Sequence, residues 1–362
     1  MIDSAGTRIA VTDARDVALP WTVERARHLG VEDAGPESFY RVSRATVAVH
    51  ARGSLYVWDP FAHVLHAFDA DFQPRWTAGR EGAGPGEVRY SNSISVDELE
   101  RIHVYDGAKQ ALVVFDKTGR VLPQIDFPSG PIRAREPHFA AVHDGFVYWH
   151  RDRFAGGDQR AVQLLWATSA DTVVLHSSQP VLSRTAQFAG CPVRVGLPVL
   201  NAARLNWHAV GQRVAINVVP QYVIEVFDSR TRTQIVRRTI SPVEMTEQEA
   251  TAAYLERGRG GPMTCNADAR EMMRQVGFEK ATQVLADLAV TPQGEIWALR
   301  SARNQARGPI DVFDVNGRYL GTLPPGVPFP IAFLSETRFV AAETDELDVE
   351  RIVVWDIKRE SD

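Results

Sequence analysis

The segment LVVFDKTGR, residues 112–120, combines a strand pattern with a tight turn. Leu112 and Val114 fall on one side of an extended chain, because side chains alternate along a strand with a period of two. Phe115 closes the apolar run, and Asp116 can accept hydrogen bonds from the amides that follow it. Gly119 supplies the positive φ that a tight hairpin requires. The segment therefore predicts a strand that ends in a hairpin turn.

The same phrase occurs six times along the chain. Its copies close on Phe68, Phe115, Trp166, Phe227, Phe313 and Trp355. The intervals of 47, 51, 61, 86 and 42 residues each have room for about four short strands and their turns. A second phrase, LYVWDP, IHVYDG or GFVYWHRD, precedes three of the copies. Repetition at this period predicts an all-β fold, a six-bladed β-propeller that forms a single domain over residues 1–362.

The two ends of the chain are predicted to share one blade. Only seven residues follow Trp355, which is too few for an outer strand and its turn. Residues 21–29, near the N-terminus, are predicted to supply the missing outer strand of the last blade. Pairing the chain ends in this way removes exposed sheet edges and closes the ring.

Composition places the chain among soluble globular proteins, with 44% hydrophobic and 23% charged residues. The net charge of −5 argues against a nucleic-acid partner. No apolar run approaches the roughly 20 residues of a transmembrane helix, and the N-terminal residues lack the pattern of a signal peptide. Cys191 and Cys265 could form one disulfide or remain two thiols, and the sequence leaves both open.

The glycine-rich segment GREGAGPGE, residues 79–87, raises the question of a phosphate-binding loop. Such a loop opens a helix and carries a lysine and a serine or threonine after its second glycine. Here Pro85 and Gly86 follow Gly84, and the next stretch is patterned as strands. The segment is therefore predicted to be a corner between two blades.

A helical insertion is predicted between blades four and five, at about residues 241–279. Ser241 would cap a first helix with Pro242 at its first position and Glu244 completing a capping box, and Gly258 would end it. Asn266 would cap a second helix, with apolar contacts from Met272, Met273, Val276 and Phe278. The pair could be a lid over the channel or a packed decoration, and decoration is favoured.

With its blades assigned, the chain resembles the six-bladed propellers related to NHL-repeat proteins. The resemblance is strongest to a group of bacterial, usually exported propellers of uncharacterised function. It is carried by DSAGTRIAV (3–11), GREGAGPGE (79–87), VYDGAKQALVVFDKTGR (104–120), LADLAVTPQGEIWAL (285–299) and DELDVERIVVWDI (345–357). The resemblance implies a periplasmic or exported location. Members of the group typically carry an export signal before the DSAG stretch, whereas here Met1 lies only two positions before its first residue, Asp3, so the location is left open.

Candidate ligand-binding residues follow from the fold, because inner strands line the channel and the loops between blades rim one face. Inner strands are predicted near residues 45–49, 94–96, 138–142, 207–210, 285–290 and 331–334. The polar residues that lead into them are Arg89, Asn92, Arg133, Arg135, His138, Arg204, Asn206, His208 and Gln283. This arginine-rich set would suit an anionic ligand, although such arginines can also simply bond carbonyl groups.

No catalytic residues, metal ligands or cofactors are predicted. Asp287 is expected to point into its sheet, residues 343–350 to form a solvated hairpin tip, and His63 and His66 to be exposed to solvent. The favoured hypothesis is a non-catalytic, monomeric binding or scaffold propeller for a protein, peptide or small anionic ligand. The alternative is a calcium-dependent hydrolase or lyase of the lactonase or esterase type, with its site in the channel.

Overall fold

The structure is a computed structural model of the chain. It describes residues 2–4, 6–29, 39, 41–91, 93–126, 139–151, 162–178, 183–188, 195–202, 204–217, 219–260, 268–302, 308–344 and 350–359. Within these residues, no helix is both long and apolar enough to span a membrane.

The first three blades are antiparallel four-stranded sheets that follow one another along the chain. Blade one comprises β4 (Val47–Val49), β5 (Leu55–Asp59), β6 (Val64–Phe68) and β7 (Pro74–Ala78). Blade two comprises β8 (Ile94–Val96), β9 (Ile102–Asp106), β10 (Ala111–Phe115) and β11 (Val121–Asp126). Blade three comprises β12 (Phe139–Val142), β13 (Gly145–Arg151), β14 (Val162–Thr168) and β15 (Thr172–Ser178).

The remaining three blades complete a six-bladed β-propeller, as predicted. Blade four contains β18 (Asn206–Val210), β19 (Arg213–Asn217), β20 (Val223–Asp228) and β21 (Thr231–Arg238). Blade five comprises β24 (Leu285–Val290), β25 (Ile296–Arg300), β26 (Ile310–Phe313) and β27 (Tyr319–Thr322). Blade six comprises β28 (Ala332–Ser335), β29 (Arg338–Thr344), β30 (Glu350–Arg359) and β3 (Trp21–Leu29).

The ring is closed by the N-terminal strand, which confirms the prediction for residues 21–29. Strand β3 runs antiparallel to β30, with Trp21 opposite Arg359 and Leu29 opposite Ile352. One apolar cluster then joins blade six to blade one, with Leu29 and Val354 against Val57 and Phe68. The first and last parts of the chain thus share one sheet.

Apolar clusters fill the spaces between neighbouring blades. Because side chains of a strand alternate between two faces, each blade contributes to the cluster on either side. In blade two, Val104 joins the cluster shared with blade one, whereas Tyr105 joins the cluster shared with blade three. Trp58 and Trp297 are fully buried in such clusters and pack between neighbouring blades.

The aspartates that follow the strand-ending aromatics hold the turns, as predicted. Asp116 Oδ1 accepts hydrogen bonds from the amides of Thr118 (2.8 Å) and Arg120 (3.1 Å). Asp69 and Asp314 bind the amides of their own turns in the same way. The repeated phrase is therefore a repeated local hydrogen-bond pattern.

An N-terminal hairpin, which the sequence analysis did not predict, widens blade four. Strands β1 (Ile2–Ser4) and β2 (Thr7–Thr12) pair with each other, and β2 lies parallel to β21. Blade four thereby becomes a six-stranded sheet. The chain then crosses the outer edge of blade five, where the Leu19 amide donates to Thr322 O at 2.9 Å, before it enters β3. The N-terminal region thus contacts three consecutive blades.

Two helices lie between blades four and five, but they begin later than predicted. Helix α1 spans Glu247–Gly260 and helix α2 spans Ala269–Val276. The N-cap of α1 is Thr246, whose Oγ1 accepts from the Glu249 amide (3.2 Å) while the Glu249 carboxylate accepts from the Thr246 amide (2.8 Å). The predicted start at Ser241 and Pro242 is wrong, because β22 (Val243–Glu244) pairs with β23 (Ala281–Thr282).

The other predicted helix ends also need correction. Helix α1 does not stop at Gly258 and continues to Gly260. The N-cap of α2 is Asp268, not Asn266, and its side chain accepts a hydrogen bond from the Arg270 amide. Asn266 itself lies outside the described residues, as do Cys191 and Cys265.

The helices share a small core with a second insertion. Strands β16 (Ser183–Ala186) and β17 (Val195–Pro198) form a hairpin between blades three and four. Apolar residues of this region, including Phe188 and Val199, pack against Tyr254, Met272 and Val276 of the helices. The predicted apolar contacts of the second helix are confirmed, and the two insertions form one packed module.

The strand order assigns every loop to one of two faces. Each first strand begins, and each fourth strand ends, on the face that carries the connections between blades, which we call the loop face. The opposite face carries the turns between first and second strands and between third and fourth strands, and we call it the turn face. Both insertions connect consecutive blades and therefore lie on the loop face.

The glycine-rich segment is a corner on the loop face, as predicted, and joins β7 to β8. The Gly84 amide donates to the Glu87 carboxylate at 2.7 Å. Lys109 Nζ donates to the carbonyl oxygens of Gly84 (2.8 Å) and Glu87 (2.6 Å). The loop thus presents carbonyl oxygens to a lysine and uses its own carboxylate as the acceptor for an amide.

Substituting Gly79 with alanine should destabilise this corner by about 1–3 kcal/mol. Gly79 has φ +92°, and a Cβ on it would lie 2.9 Å from the carbonyl oxygen of His63. Gly326 is a matched control, because its φ is +89° and a Cβ there would have open space. Chemical denaturation should show a smaller loss for Gly326→Ala. Equal losses of stability in the two variants would show that the close contact with the His63 carbonyl oxygen does not add to the destabilisation.

Candidate functional site

The inner strands meet around the axis close to the predicted positions. Strand β4 contacts β8 and β28, and β12 contacts β8 and β18, while β18 contacts β24. Of the predicted ligand-binding residues, Arg89, Arg204, Asn206, His208 and Gln283 are described by the structure. Asn92, Arg133, Arg135 and His138 lie outside the described residues.

Four of the five described candidates lie together where blades four and five meet. Gln283 bridges the two blades, since its Oε1 accepts from the Arg204 amide (2.8 Å) and its Nε2 donates to Arg204 O (2.9 Å). Asn206 Nδ2 donates to Leu285 O at 2.8 Å. These side-chain amides join the starts of β18 and β24, while the Arg204 side chain remains exposed.

His208, on the inner strand β18, also forms a hydrogen bond across the junction between blades four and five. Its Nδ1 accepts a hydrogen bond from the Val290 amide at 3.0 Å. The amide belongs to the edge of an inner strand, which has no further strand beside it, so a side chain satisfies it. We therefore assign His208 a structural bond between blades in addition to its predicted place on the channel.

Arg89 lies on the other side of the ring, between blades one and two. Its amide donates to Asp106 Oδ2 at 3.3 Å, and its side chain is exposed. The next residue, Tyr90, has 74% of its surface exposed. The structure thus places the predicted arginines Arg89 and Arg204 at two opposite junctions of the loop face.

Arg44, which the sequence analysis missed, connects three blades at the axis. Its Nη1 donates to Asp287 Oδ1 (2.9 Å) and Leu288 O (2.7 Å), and its Nη2 donates to Pro330 O (3.1 Å). Asp287 was expected to point into its sheet. The register of β24 shifts between Leu285 and Asp287, and the Asp287 side chain is 40% exposed and paired with Arg44.

A second missed residue, Arg41, stands on the loop face beside an aromatic ring. Its guanidinium lies 5.8 Å from the centre of the Phe61 ring. Arg41 is exposed, and Phe61 is 63% exposed. The available sequence signal was weak, because Arg41 lies in a segment without strand alternation just before β4.

The histidine pair was predicted to be exposed, and this prediction is wrong. His66 is buried, and its ring meets the edge of Phe39 with ring centres 6.1 Å apart. Burial lowers the pKa of His66, with a smaller opposing effect from Asp59. His63 is half-buried. Among the residues that the structure describes, no three His, Cys, Asp or Glu side chains are grouped so that they could hold a metal ion.

On the turn face, Asp97 is held in its charged form. Its Oδ2 accepts from Arg101 Nε at 2.6 Å and lies 3.1 Å from Nε2 of the buried His103. Burial alone would raise the pKa of Asp97, but the hydrogen bond and charge of His103 and the hydrogen bonds of the Arg101 amide and side chain outweigh burial and lower that pKa from 3.8 to about 2.

Replacing Asp97 with asparagine should therefore remove an acid-dependent part of the stability. A carboxyl group with a lowered pKa stabilises the fold above pH 3.8 and loses this effect as the pH falls through about 2. We expect Asp97→Asn to lose about 1–2 kcal/mol near neutral pH, after allowance for screening. Denaturation at several pH values should show the difference between the variant and the parent shrinking as the pH falls from 3.8 to about 2. A constant difference would contradict this assignment.

Comparisons with known proteins agree with the fold. A sequence-family model described as "6-bladed beta-propeller" matches residues 37–179, which include blades one to three. No curated protein matches the chain. The protein is therefore of the six-bladed β-propeller class, with its candidate site on the loop face and channel.

The chain is also similar to solved structures at low sequence identity. A candidate exported protein from Bacteroides fragilis is 11% identical, with 98% of this chain and 100% of that chain covered and a TM-score of 0.53. A member of the DUF4221 family from Bacteroides vulgatus is 10% identical, with coverages of 94% and 99% and a TM-score of 0.48. A gluconolactonase from Xanthomonas campestris is 10% identical, with coverages of 92% and 99% and a TM-score of 0.38. At such identities, the similarity to the first protein shows the fold alone.

Proposed function

We propose that the protein is a non-catalytic binding propeller whose loop face holds a partner carrying carboxylate groups. The observation that supports this proposal concerns the ion pairing of three exposed arginines on that face. Within the described part of the chain, the guanidinium groups of Arg41, Arg89 and Arg204 have no carboxylate partner. A guanidinium group binds a carboxylate through two parallel hydrogen bonds, so these side chains favour an anionic ligand.

The placement of these arginines favours an extended partner. Arg89 stands at the junction of blades one and two, and Arg204 at the junction of blades four and five, across the ring. A small anion could contact one of these positions, whereas a chain that crosses the loop face could contact both. We therefore propose a peptide or a protein segment as the partner. On the sequence resemblance alone, we place this function outside the cytoplasm.

Binding to poly-glutamate at low ionic strength tests the proposal directly. We expect the double variant Arg89→Ala/Arg204→Ala to lose most of the affinity, and added salt to weaken binding of the parent protein. Arg120→Ala is a matched control, because that arginine is 76% exposed on the turn face. Absence of binding, or an equal loss in the control, would contradict the proposal. Stoichiometric calcium that survives dialysis would instead favour the hydrolase or lyase alternative.

A further inference from the structure

Two exposed aromatic side chains stand on the loop face beside two of its arginines. Among the described residues, Phe61 (63% exposed) and Tyr90 (74% exposed) are the aromatic members of the exposed large hydrophobic side chains. Arg41 lies over the ring of Phe61, and Arg89 precedes Tyr90 in the chain. We call Arg41, Phe61, Arg89 and Tyr90 the blade-one rim.

The loops that carry the rim residues adjoin each other. Gly79 approaches His63 so closely that a Cβ on it would lie 2.9 Å from the His63 carbonyl oxygen. Beneath the loops, Trp58 Nε1 donates to Ser91 O at 3.1 Å. The loop that contains Phe61 and the corner that contains Tyr90 are therefore held against one another and against the core of blade one.

The backbone of the rim is fixed before any partner binds. The Phe61 amide donates to Asp59 Oδ1 at 2.7 Å. The Tyr90 carbonyl oxygen accepts from the Gly107 amide at 2.8 Å, and the Arg89 amide donates to Asp106 Oδ2. Such preorganisation lowers the entropy that is lost on binding. The exposed aromatic groups are therefore displayed on rigid supports.

We infer that the blade-one rim binds a peptide segment in which carboxylate side chains alternate with apolar side chains. This inference rests on the proposed function and specifies its partner. Aromatic residues and arginine dominate the binding energy of protein interfaces, and both kinds are present here in adjacent pairs. The guanidinium groups match carboxylates, and the exposed rings offer apolar area that an acidic chain without apolar residues would leave in water.

The test measures the affinity of the full chain for four synthetic peptides of equal length. The peptides combine Asp with Leu, Asp with Ser, Ser with Leu, and Lys with Leu. We expect the Asp/Leu peptide to bind tightest. We also expect Phe61→Ala/Tyr90→Ala to weaken its binding about tenfold or more, with little effect on the Asp/Ser peptide. Because both side chains are exposed, the variant should keep its fold, which circular dichroism and thermal unfolding check.

Leu99→Ala is the matched control, because Leu99 is 72% exposed on the turn face. The milder variant Phe61→Leu/Tyr90→Phe should retain most of the affinity, since it keeps the apolar area. Equal binding of the Asp/Leu and Asp/Ser peptides, or the same loss in Leu99→Ala, would overturn this inference and leave the proposed function standing. Failure of both acidic peptides to bind would overturn both.

Discussion

Replacement of Asp311 with asparagine should lower the free energy of unfolding by about 3–5 kcal/mol. Asp311 and Arg238 are both completely buried, and Arg238 Nη1 lies 2.8 Å from Asp311 Oδ2. Asparagine keeps the size of the side chain but removes its charge, so the buried Arg238 guanidinium would lose its buried counter-ion and keep only the half-exposed carboxylate of Asp16. Equilibrium denaturation of the variant measures this loss.

The neighbours of Asp311 explain why the effect should be large. Tyr222 Oη donates to Asp311 Oδ2 at 2.8 Å, and Thr322 Oγ1 donates to Asp311 Oδ1 at 2.7 Å. Burial, together with the charge of Asp311, raises the pKa of Tyr222 well above its ordinary value, so Tyr222 remains a donor. The group joins blade four to blade five, and Arg238 also donates to Arg15 O of the N-terminal region at 2.8 Å.

Asp16→Asn provides the control for this prediction. Asp16 accepts from Arg238 (3.1 Å) and Arg300 (2.6 Å), but its side chain is 46% exposed. Water can replace much of the hydrogen bonding and charge stabilisation that an exposed carboxylate provides. We therefore expect Asp16→Asn to lower the free energy of unfolding by less than about 1 kcal/mol. If Asp16→Asn and Asp311→Asn were equally destabilising, burial of the ion pair would not be the cause.

Truncation of Trp21 to alanine should cost about 3–5 kcal/mol and loosen the closure of the ring. Trp21 is 8% exposed, and it packs with Trp297 and Ile357 in the cluster between blades five and six. The Arg359 guanidinium lies 4.4 Å from the centre of the indole ring. Loss of these contacts removes the anchor at the beginning of β3.

Hydrogen exchange shows which blades lose stability in Trp21→Ala. We expect the amides of β3 and β30 to exchange faster in Trp21→Ala, while those of blade two remain protected. Thr22→Ala is the control, because the Thr22 side chain is exposed on the same strand. Uniform acceleration over all blades would mean that the ring opens only as a whole.

The propeller could be predicted because each copy of its repeated sequence forms a strand and a turn through interactions between residues close together in the chain. Phe115 closes a buried strand, and Asp116 binds the amides of its own turn, so neither depends on distant parts of the chain. The hairpin of β1 and β2 could not be predicted in this way. Its position is set by the parallel pairing of Arg8 with Gln234 and of Thr12 with Arg238, which is a nonlocal contact without a local signature.

The start of the first helix was also mispredicted because a nonlocal contact decides it. Ser241, Pro242 and Glu244 form a reasonable start for a helix, but the pairing of Val243 with Thr282 takes that segment into a strand. Thr246 and Glu249 then provide the actual cap. Tertiary pairing outweighed the local preference.

For the candidate residues, the sequence predicted the face of the propeller better than the individual contacts. The loop face followed from the fold, and Arg89 and Arg204 lie on it with exposed side chains. Arg44 was not predicted because it forms its hydrogen bonds with Asp287 and Pro330, which belong to other blades. The roles of Asn206 and Gln283 as bonds between blades also depend on partners that strand alternation alone does not reveal.

Formation of one engineered disulfide tests the closure of the ring most directly. Thr22 of β3 and Lys358 of β30 are directly opposite each other. In a protein with Cys191 and Cys265 replaced by serine, Thr22→Cys/Lys358→Cys should oxidise to a single intramolecular disulfide, detected by mass spectrometry under non-reducing conditions. The control pair Thr22→Cys/Arg338→Cys should stay reduced, because β29 lies one strand further away. Free thiols in the first pair, or disulfides only between molecules, would contradict a ring closed by the N-terminal strand.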